Sequence, residues 1–370
     1  MKFICVLFCL LFALQSALTG ASQTKPDKEK DEIIRVDTQL VDVPVSVAGS
    51  DGRPIRDLKK TNFQVFEDGK PQTIESFATA SAPFEVVLIL DTSGSARSDL
   101  QLIKRAAADF IQSLRPGDRV AVTAFNSEKI DGQSFAFNEV LSPLTNDRDR
   151  LRSAIDRASV SNGTPYYDSL IDVAEKIFRD AASDEFRGRR AVVALTDGVD
   201  STSSADFEEV REKLAQIGVI CYFIKVDTRE FFESGILGDC QSATRFSVAQ
   251  IRRYYRGMSS SSRTGMTTDF CQLGDFERLA ISKRLYEIAD EEMSEIAKSS
   301  GGAIFPVGDL TEARGAFRSV ANAIGTQFTI GYSPTNEKRD GTYRRIKIEL
   351  KGVAAGAKVR SRDGYTAPNN

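Results

Sequence analysis

"EVVLILDTSGSAR", residues 85–97, decides the fold. Its first half is an unbroken apolar run, Val86 to Leu90, with none of the alternation of a half-buried strand. Such a run fits a strand covered on both faces inside a parallel sheet. The run stops at one carboxylate, Asp91, followed by three hydroxyls, Thr92, Ser93 and Ser95. Downstream, Leu100, Ile103, Ala107, Phe110 and Leu114 recur at helical spacing, and Pro116-Gly117-Asp118 turns the chain into a second strand, "RVAVTAF" at 119–125. Further strands are expected at 191–195, 219–226 and 302–307, with helices at 147–158, 165–180, 205–216, 284–298 and 310–324. Strand and helix in alternation predict a doubly wound, mostly parallel, Rossmann-like α/β domain over 84–325, whose ligands bind beyond the carboxyl ends of the strands. Asp91 stands at such an end.

Composition removes whole classes of chemistry. The chain has 370 residues, 41% hydrophobic and 27% charged, with a formal net charge of −3 and no histidine. Without histidine there is no Ser-His-Asp triad, no Cys-His pair and no His-ligated zinc, so an enzyme is not expected. The near-neutral balance gives no reason to expect nucleic acid. Residues 1–21, one lysine and an apolar stretch from Phe3 to Leu14 followed by small residues, read as a secretory signal. The stretch is shorter than the roughly 20 residues a membrane span needs, so the mature chain is expected to be secreted or periplasmic, without an integral membrane segment. Beyond the signal three cysteines remain. Cys221 falls in the apolar run "VICYFIKV" and is expected as a core thiol, whereas Cys240 and Cys271 bracket a basic segment and are expected to pair.

Residues 22–32 form a charged linker. The segment 33–80 is all strand and turn: Val41, Val43, Val45 and Val47 alternate with Asp42, Pro44 and Ser46, and two short strands flank Asp68-Gly69. The segment 326–367 shows the same alternation at 327–333, 342–351 and 357–362. Three strands alone are marginal, so both ends are expected to share one small β-module, with the α/β domain inserted between them. A connection of more than fifty residues, 228–283, is far longer than a usual strand-to-helix loop and is an insertion on the carboxyl-end rim. Its middle holds Arg252, Arg253, Tyr254, Tyr255 and Arg256, a basic and aromatic group expected to recognise a partner; a flexible serine-rich loop is the plainer alternative.

Two further loops bring polar residues to the same rim. "SNGTPYYDSL" carries Thr164 and "LTDGVDS" carries Asp197. With the D-x-S-x-S of Asp91, Ser93 and Ser95, this order resembles the von Willebrand factor type A domain and its metal-ion-dependent adhesion site. The resemblance implies Mg²⁺, with Mn²⁺ or Ca²⁺ as alternatives, held by Asp91, Ser93, Ser95, Thr164 and Asp197. It also implies adhesion to a protein partner that offers an Asp or Glu carboxylate. Hard oxygen ligands of this kind suit Mg²⁺. Taken singly, Thr164 before Pro165 is also a good helix cap, Asp91 a helix-capping acid and Asp197-Gly198 a simple turn. The flanking segments resemble those of von Willebrand-A-related proteins found in acidobacteria, which implies a bacterial envelope setting. A metal-dependent phosphoryl or ester hydrolase and a structural envelope protein with a stabilising metal are the alternative functions.

Overall fold

The computed structural model describes residues 40–256 and 267–369. The expected signal and linker, residues 1–32, lie outside the described residues, as does 257–266 in the insertion. The chain opens with β1 (Val41–Ala48), β2 (Phe63–Glu67), β3 (Lys70–Gln72) and β4 (Ile74–Ala78). The α/β part follows as β5 (Glu85–Leu90), α1 (Leu100–Ser113), β6 (Arg119–Ile130), β7 (Gln133–Thr145), α2 (Arg148–Arg157) and α3 (Tyr166–Asp172). It continues with β8 (Arg190–Thr196), α4 (Phe207–Ile217), β9 (Ile220–Val226), α5 (Arg229–Ile236), α6 (Val248–Arg256), α7 (Asp275–Ser300), β10 (Ala303–Val307) and α8 (Ala313–Ile324). The last strands are β11 (Phe328–Tyr332), β12 (Tyr343–Leu350), β13 (Lys358–Ser361) and β14 (Gly364–Thr366). No described helix is long and apolar enough to cross a membrane.

The central sheet has the order β10-β9-β8-β5-β6-β7, parallel except for the last pair. The unbroken apolar run has a direct cause: Val86, Leu88 and Leu90 of β5 pack under α1, α2 and α8, while Val87 and Ile89 pack under α3, α4 and α7. A strand with two cores cannot alternate. The β6–β7 hairpin corrects the sequence reading, which places no element over 126–146. Its turn uses Asp131 and Gly132 at positive φ, and its far half is solvent-exposed on both strands, so no burial pattern marks it. The helix at 284–298 is likewise longer, running from Asp275 with Gly301 as its left-handed cap. Its first half packs Ile281 and Leu285 on the insertion, its second half Met293 and Ile296 on the sheet, so one helix serves two cores.

The two ends of the chain form a β-sandwich. One sheet has the order β13-β1-β11-β4 and the other β14-β12-β2-β3. Val43 and Val45 of β1, Val65 of β2, Phe328 and Ile330 of β11, and Ile346 of β12 meet in one core. Since β4 and β11 pair directly, Ala78 opposite Thr329, the α/β domain leaves and re-enters the sandwich on neighbouring strands. Two arginines hold this joint. Arg189, fully buried, donates to the carbonyls of Ala82, Pro83 and Gln327 at 2.6, 3.0 and 3.1 Å and stacks on Phe84 at 4.1 Å. Arg115 donates to the carbonyls of Ala82 and Gly325 at 2.9 and 2.6 Å. Burial, and then the charge of Arg115, bring the Arg189 pKa down to about 9, which still leaves it charged at neutral pH. The joint sits at the amino ends of β5 and β8. Their carboxyl ends therefore face away from the sandwich.

Candidate metal centre

β5 delivers Asp91 to the middle of the sheet, between β6 and β8. The carboxylate is buried and held from two sides: one oxygen accepts from the Ser93 amide at 2.9 Å, the other from the Thr196 hydroxyl at 2.6 Å. Neither bond caps α1, whose N-cap is Asp99. Thr92 turns inward and donates to the Phe125 carbonyl of β6 at 2.5 Å, which leaves it a structural residue. Ser93 is buried beside Asp91, and Ser95 follows in a 3₁₀ turn, its side chain lying outside the described part of the structure.

The second loop is tied to the first and the third. The Ser161 amide donates to the Thr92 carbonyl at 2.8 Å. The Thr164 amide donates to the Ser201 hydroxyl at 2.8 Å, and the Ser201 amide returns a bond to the Thr164 carbonyl at 3.0 Å. Thr164 does not cap α3, because Pro165 occupies that position and no side-chain cap bond forms. The capping alternative for Thr164 is thereby removed. A side chain at Gly163 would meet Thr202 at 2.7 Å and Ala136 of the hairpin at 2.9 Å, so only glycine lets this loop lie between them.

Asp197 follows β8. One oxygen accepts from the Val199 amide at 2.9 Å and the other from the Thr228 hydroxyl. Gly198 has φ +75°, and a Cβ there would press on Met293 of α7 at 2.7 Å. Thr196 ties the Asp91 carboxylate to the loop after β8, donating to Asp91 while accepting from the Gly198 amide at 3.0 Å. A cavity of about 20 Å³ lies beside them, lined on its polar side by Asp91, Thr196, Asp197 and Thr228 and otherwise by apolar side chains such as Ile103, Leu195 and Val226; neither Ser93 nor Thr164 is part of its wall. That volume is about one water-sized particle.

The electrostatics point one way. Burial raises the pKa of Asp91, and burial together with the charge of Asp91 raises that of Asp197. Among the described residues no ion pair reaches either carboxylate. Nor, among them, do three or more acid or cysteine side chains gather into a metal site. Two buried carboxylates that line one small cavity with hydroxyls, without a positive side chain, form a donor set that fits one hard cation.

The insertion agrees with the sequence reading in its cysteines and departs from it in the basic and aromatic group. Cys240 is joined to Cys271, and Cys221 is a buried free thiol. Arg253 is not displayed to a partner: its guanidinium pairs with Glu292 of α7, contacts the Tyr167 hydroxyl and covers the Tyr167 ring at 4.6 Å. Tyr254 and Tyr255 pack edge to face at 5.1 Å against the insertion's own core. Arg252 and Arg256 are the exposed members of the group. The five residues thus form no single surface, because the long apolar and aromatic parts of three of them are used to fasten the insertion down. Thr196, Ser201, Thr228 and Tyr286 have no assigned role in the sequence reading. Thr228 carries the same signal as Asp91, a polar residue at a strand's carboxyl end; Ser201 and Tyr286 carry none.

An open α/β sheet with acids and hydroxyls gathered beyond its central strands defines the class, a Rossmann-like domain with a rim site. Residues 86–199 match the family model of the von Willebrand factor type A domain. No curated protein matches the chain. Among solved structures, proximal thread matrix protein 1 from the mussel byssus is 15% identical with a TM-score of 0.42, over 70% of this chain and 51% of that one. This chain therefore spans about half the length of the mussel protein. A von Willebrand factor type A protein from Catenulispora acidiphila is 14% identical with a TM-score of 0.42, over 91% of this chain and 76% of that one. The conserved hypothetical protein BatB from Bacteroides thetaiotaomicron is 17% identical with a TM-score of 0.38, over 65% and 98%.

Proposed function

We propose that the protein is an exported, metal-dependent protein-binding module. Asp91, Ser93, Ser95, Thr164 and Asp197 would hold Mg²⁺, and an Asp or Glu of a partner would complete its shell. The observation that carries this reading is the pair of buried carboxylates Asp91 and Asp197, set among hydroxyls and, among the described residues, without an ion-pair partner. Like charges so placed oppose one another until a cation joins them. The ion supplies a positive charge to which an outside carboxylate is drawn, while the hydroxyls orient the ion without adding charge of their own.

The surroundings favour a protein as the partner. Exposed large apolar side chains stand on the β6–β7 hairpin, Ile130, Phe135 and Phe137, and on the insertion, Phe231, Val248 and Phe276. In the strand order, the hairpin lies on one side of β5 and β8 and the insertion leaves β9 on the other. Apolar shoulders on both sides of a charged centre are what a protein interface uses.

Calorimetric titration of Mg²⁺ into the wild-type chain and into Asp91→Ala and Thr164→Ala tests the site: binding is expected in the first and lost in both variants, with the fold retained. Capture of an acidic partner should require Mg²⁺, fail in EDTA, and vanish when the partner's ligating carboxylate is removed. A melting temperature raised by Mg²⁺ without any metal-dependent capture would instead assign the ion a structural role. Unaltered Mg²⁺ affinity in Asp91→Ala would overturn the site.

A further inference from the structure

Thr228, at the start of the insertion, and Tyr286, just beyond its end, are linked in series to one carboxylate. Thr228, two residues beyond β9, donates its hydroxyl hydrogen to Asp197, and its oxygen lies 2.9 Å from the hydroxyl of Tyr286 on α7. A threonine hydroxyl has a single hydrogen. With that hydrogen directed at Asp197, Tyr286 must be the donor in the second bond, and the relay runs from Tyr286 through Thr228 to Asp197. The Tyr286 ring is fixed in turn by an aromatic series inside the insertion. Phe232 lies 6.4 Å from it, Phe246 lies 5.5 Å from Phe232, and Phe270, next to the Cys240–Cys271 bond, lies 5.8 Å from Phe246. The other Asp197 oxygen is held by the Val199 amide. Each carboxylate oxygen thus has one fixed donor and keeps lone-pair capacity for an ion.

We propose that Thr228 and Tyr286 are positioning residues that orient the Asp197 carboxylate toward a divalent cation, so that the 228–283 insertion and the middle of α7 set the cation affinity of the rim. The inference rests on reading the rim as a Mg²⁺ site. Hydrogen bonds to a ligating carboxylate fix its direction, and their loss typically costs about 10- to 100-fold in metal affinity.

The test is calorimetric titration of Mg²⁺ into the full chain as wild type, Thr228→Val, Thr228→Ser and Tyr286→Phe, with thermal melts in EDTA as the measure of folding. Thr228→Val should weaken Mg²⁺ binding about 10- to 100-fold. Thr228→Ser keeps the hydroxyl and should bind as wild type. Tyr286→Phe keeps the ring packing, so it remains informative even if Thr228→Val unfolds; it should weaken binding less, because Thr228 retains its own bond to Asp197. Wild-type affinity in both Thr228→Val and Tyr286→Phe would overturn the positioning role and leave the rim site standing, as would an equal loss in Thr228→Ser and Thr228→Val. A wild-type chain that binds no Mg²⁺ overturns this inference together with the site itself.

Discussion

Asp91 and Asp197 were legible because each ends a buried apolar strand, where a carboxylate has no packing role. Their partners were not, because the bonds that hold them cross long stretches of chain, such as Thr196 to Asp91 and Thr228 to Asp197. The two acids also predict a pH signature. Burial raises the folded pKa of Asp197 above its unfolded value, to about 7 in the metal-free protein. A raised carboxyl pKa contributes stability that is complete below the unfolded value and lost as pH climbs through the folded one. Without metal, this contribution should therefore decline between about pH 4 and pH 7. Mg²⁺ requires the deprotonated carboxylates, so its stabilisation should grow across the same window. Thermal melts in Mg²⁺ and in EDTA should diverge as pH rises from 5 to 7.5; a difference independent of pH would contradict the assignment.

At the scale of elements, the insertion behaves as a small body fastened at several points. Ile236, Phe246, Ile251, Phe270 and Leu285 give it a core, the Cys240–Cys271 bond closes its chain, and Arg253 straps α6 to α3 and α7. Replacing both Cys240 and Cys271 by serine should cost the insertion about 3 to 4 kcal/mol in the chain-entropy model. Hydrogen exchange should quicken in α5 and α6 and stay unchanged in β5 and β8; equal protection in both proteins would show that the bond contributes nothing. The strap has its own test. Arg253→Met removes the charge partner of Glu292 and leaves that acid half-enclosed with only the Tyr167 hydroxyl donating to it, so a loss of about 1 to 3 kcal/mol is expected in denaturant melts. The basic and aromatic composition of 252–256 suggested a recognition surface, yet only the fold reveals that Arg253 turns inward. A helix face is chosen by what lies beneath it, and Glu292 and Tyr167 are distant in sequence.

For the whole molecule, the joint between sandwich and α/β domain depends on Arg189, whose three carbonyl partners come from both linkers. Arg189→Met should leave buried carbonyls unpaired and lower stability by about 2 to 4 kcal/mol, read from urea melts. A cost below about 0.5 kcal/mol, the range of an ordinary surface change, would show that the joint is held elsewhere. The sequence by itself determined the alternation of strands and helices, the burial of β5, the β character of both termini and the placing of Asp91 and Asp197 at one rim, because each is written in local periodicity or in a residue ending an apolar run. Tertiary structure alone decided the β6–β7 hairpin, the double duty of α7, the inward turn of Arg253 and the bond from Thr228 to Asp197. Each of these depends on which distant side chain lies opposite, and short-range pattern holds no record of that.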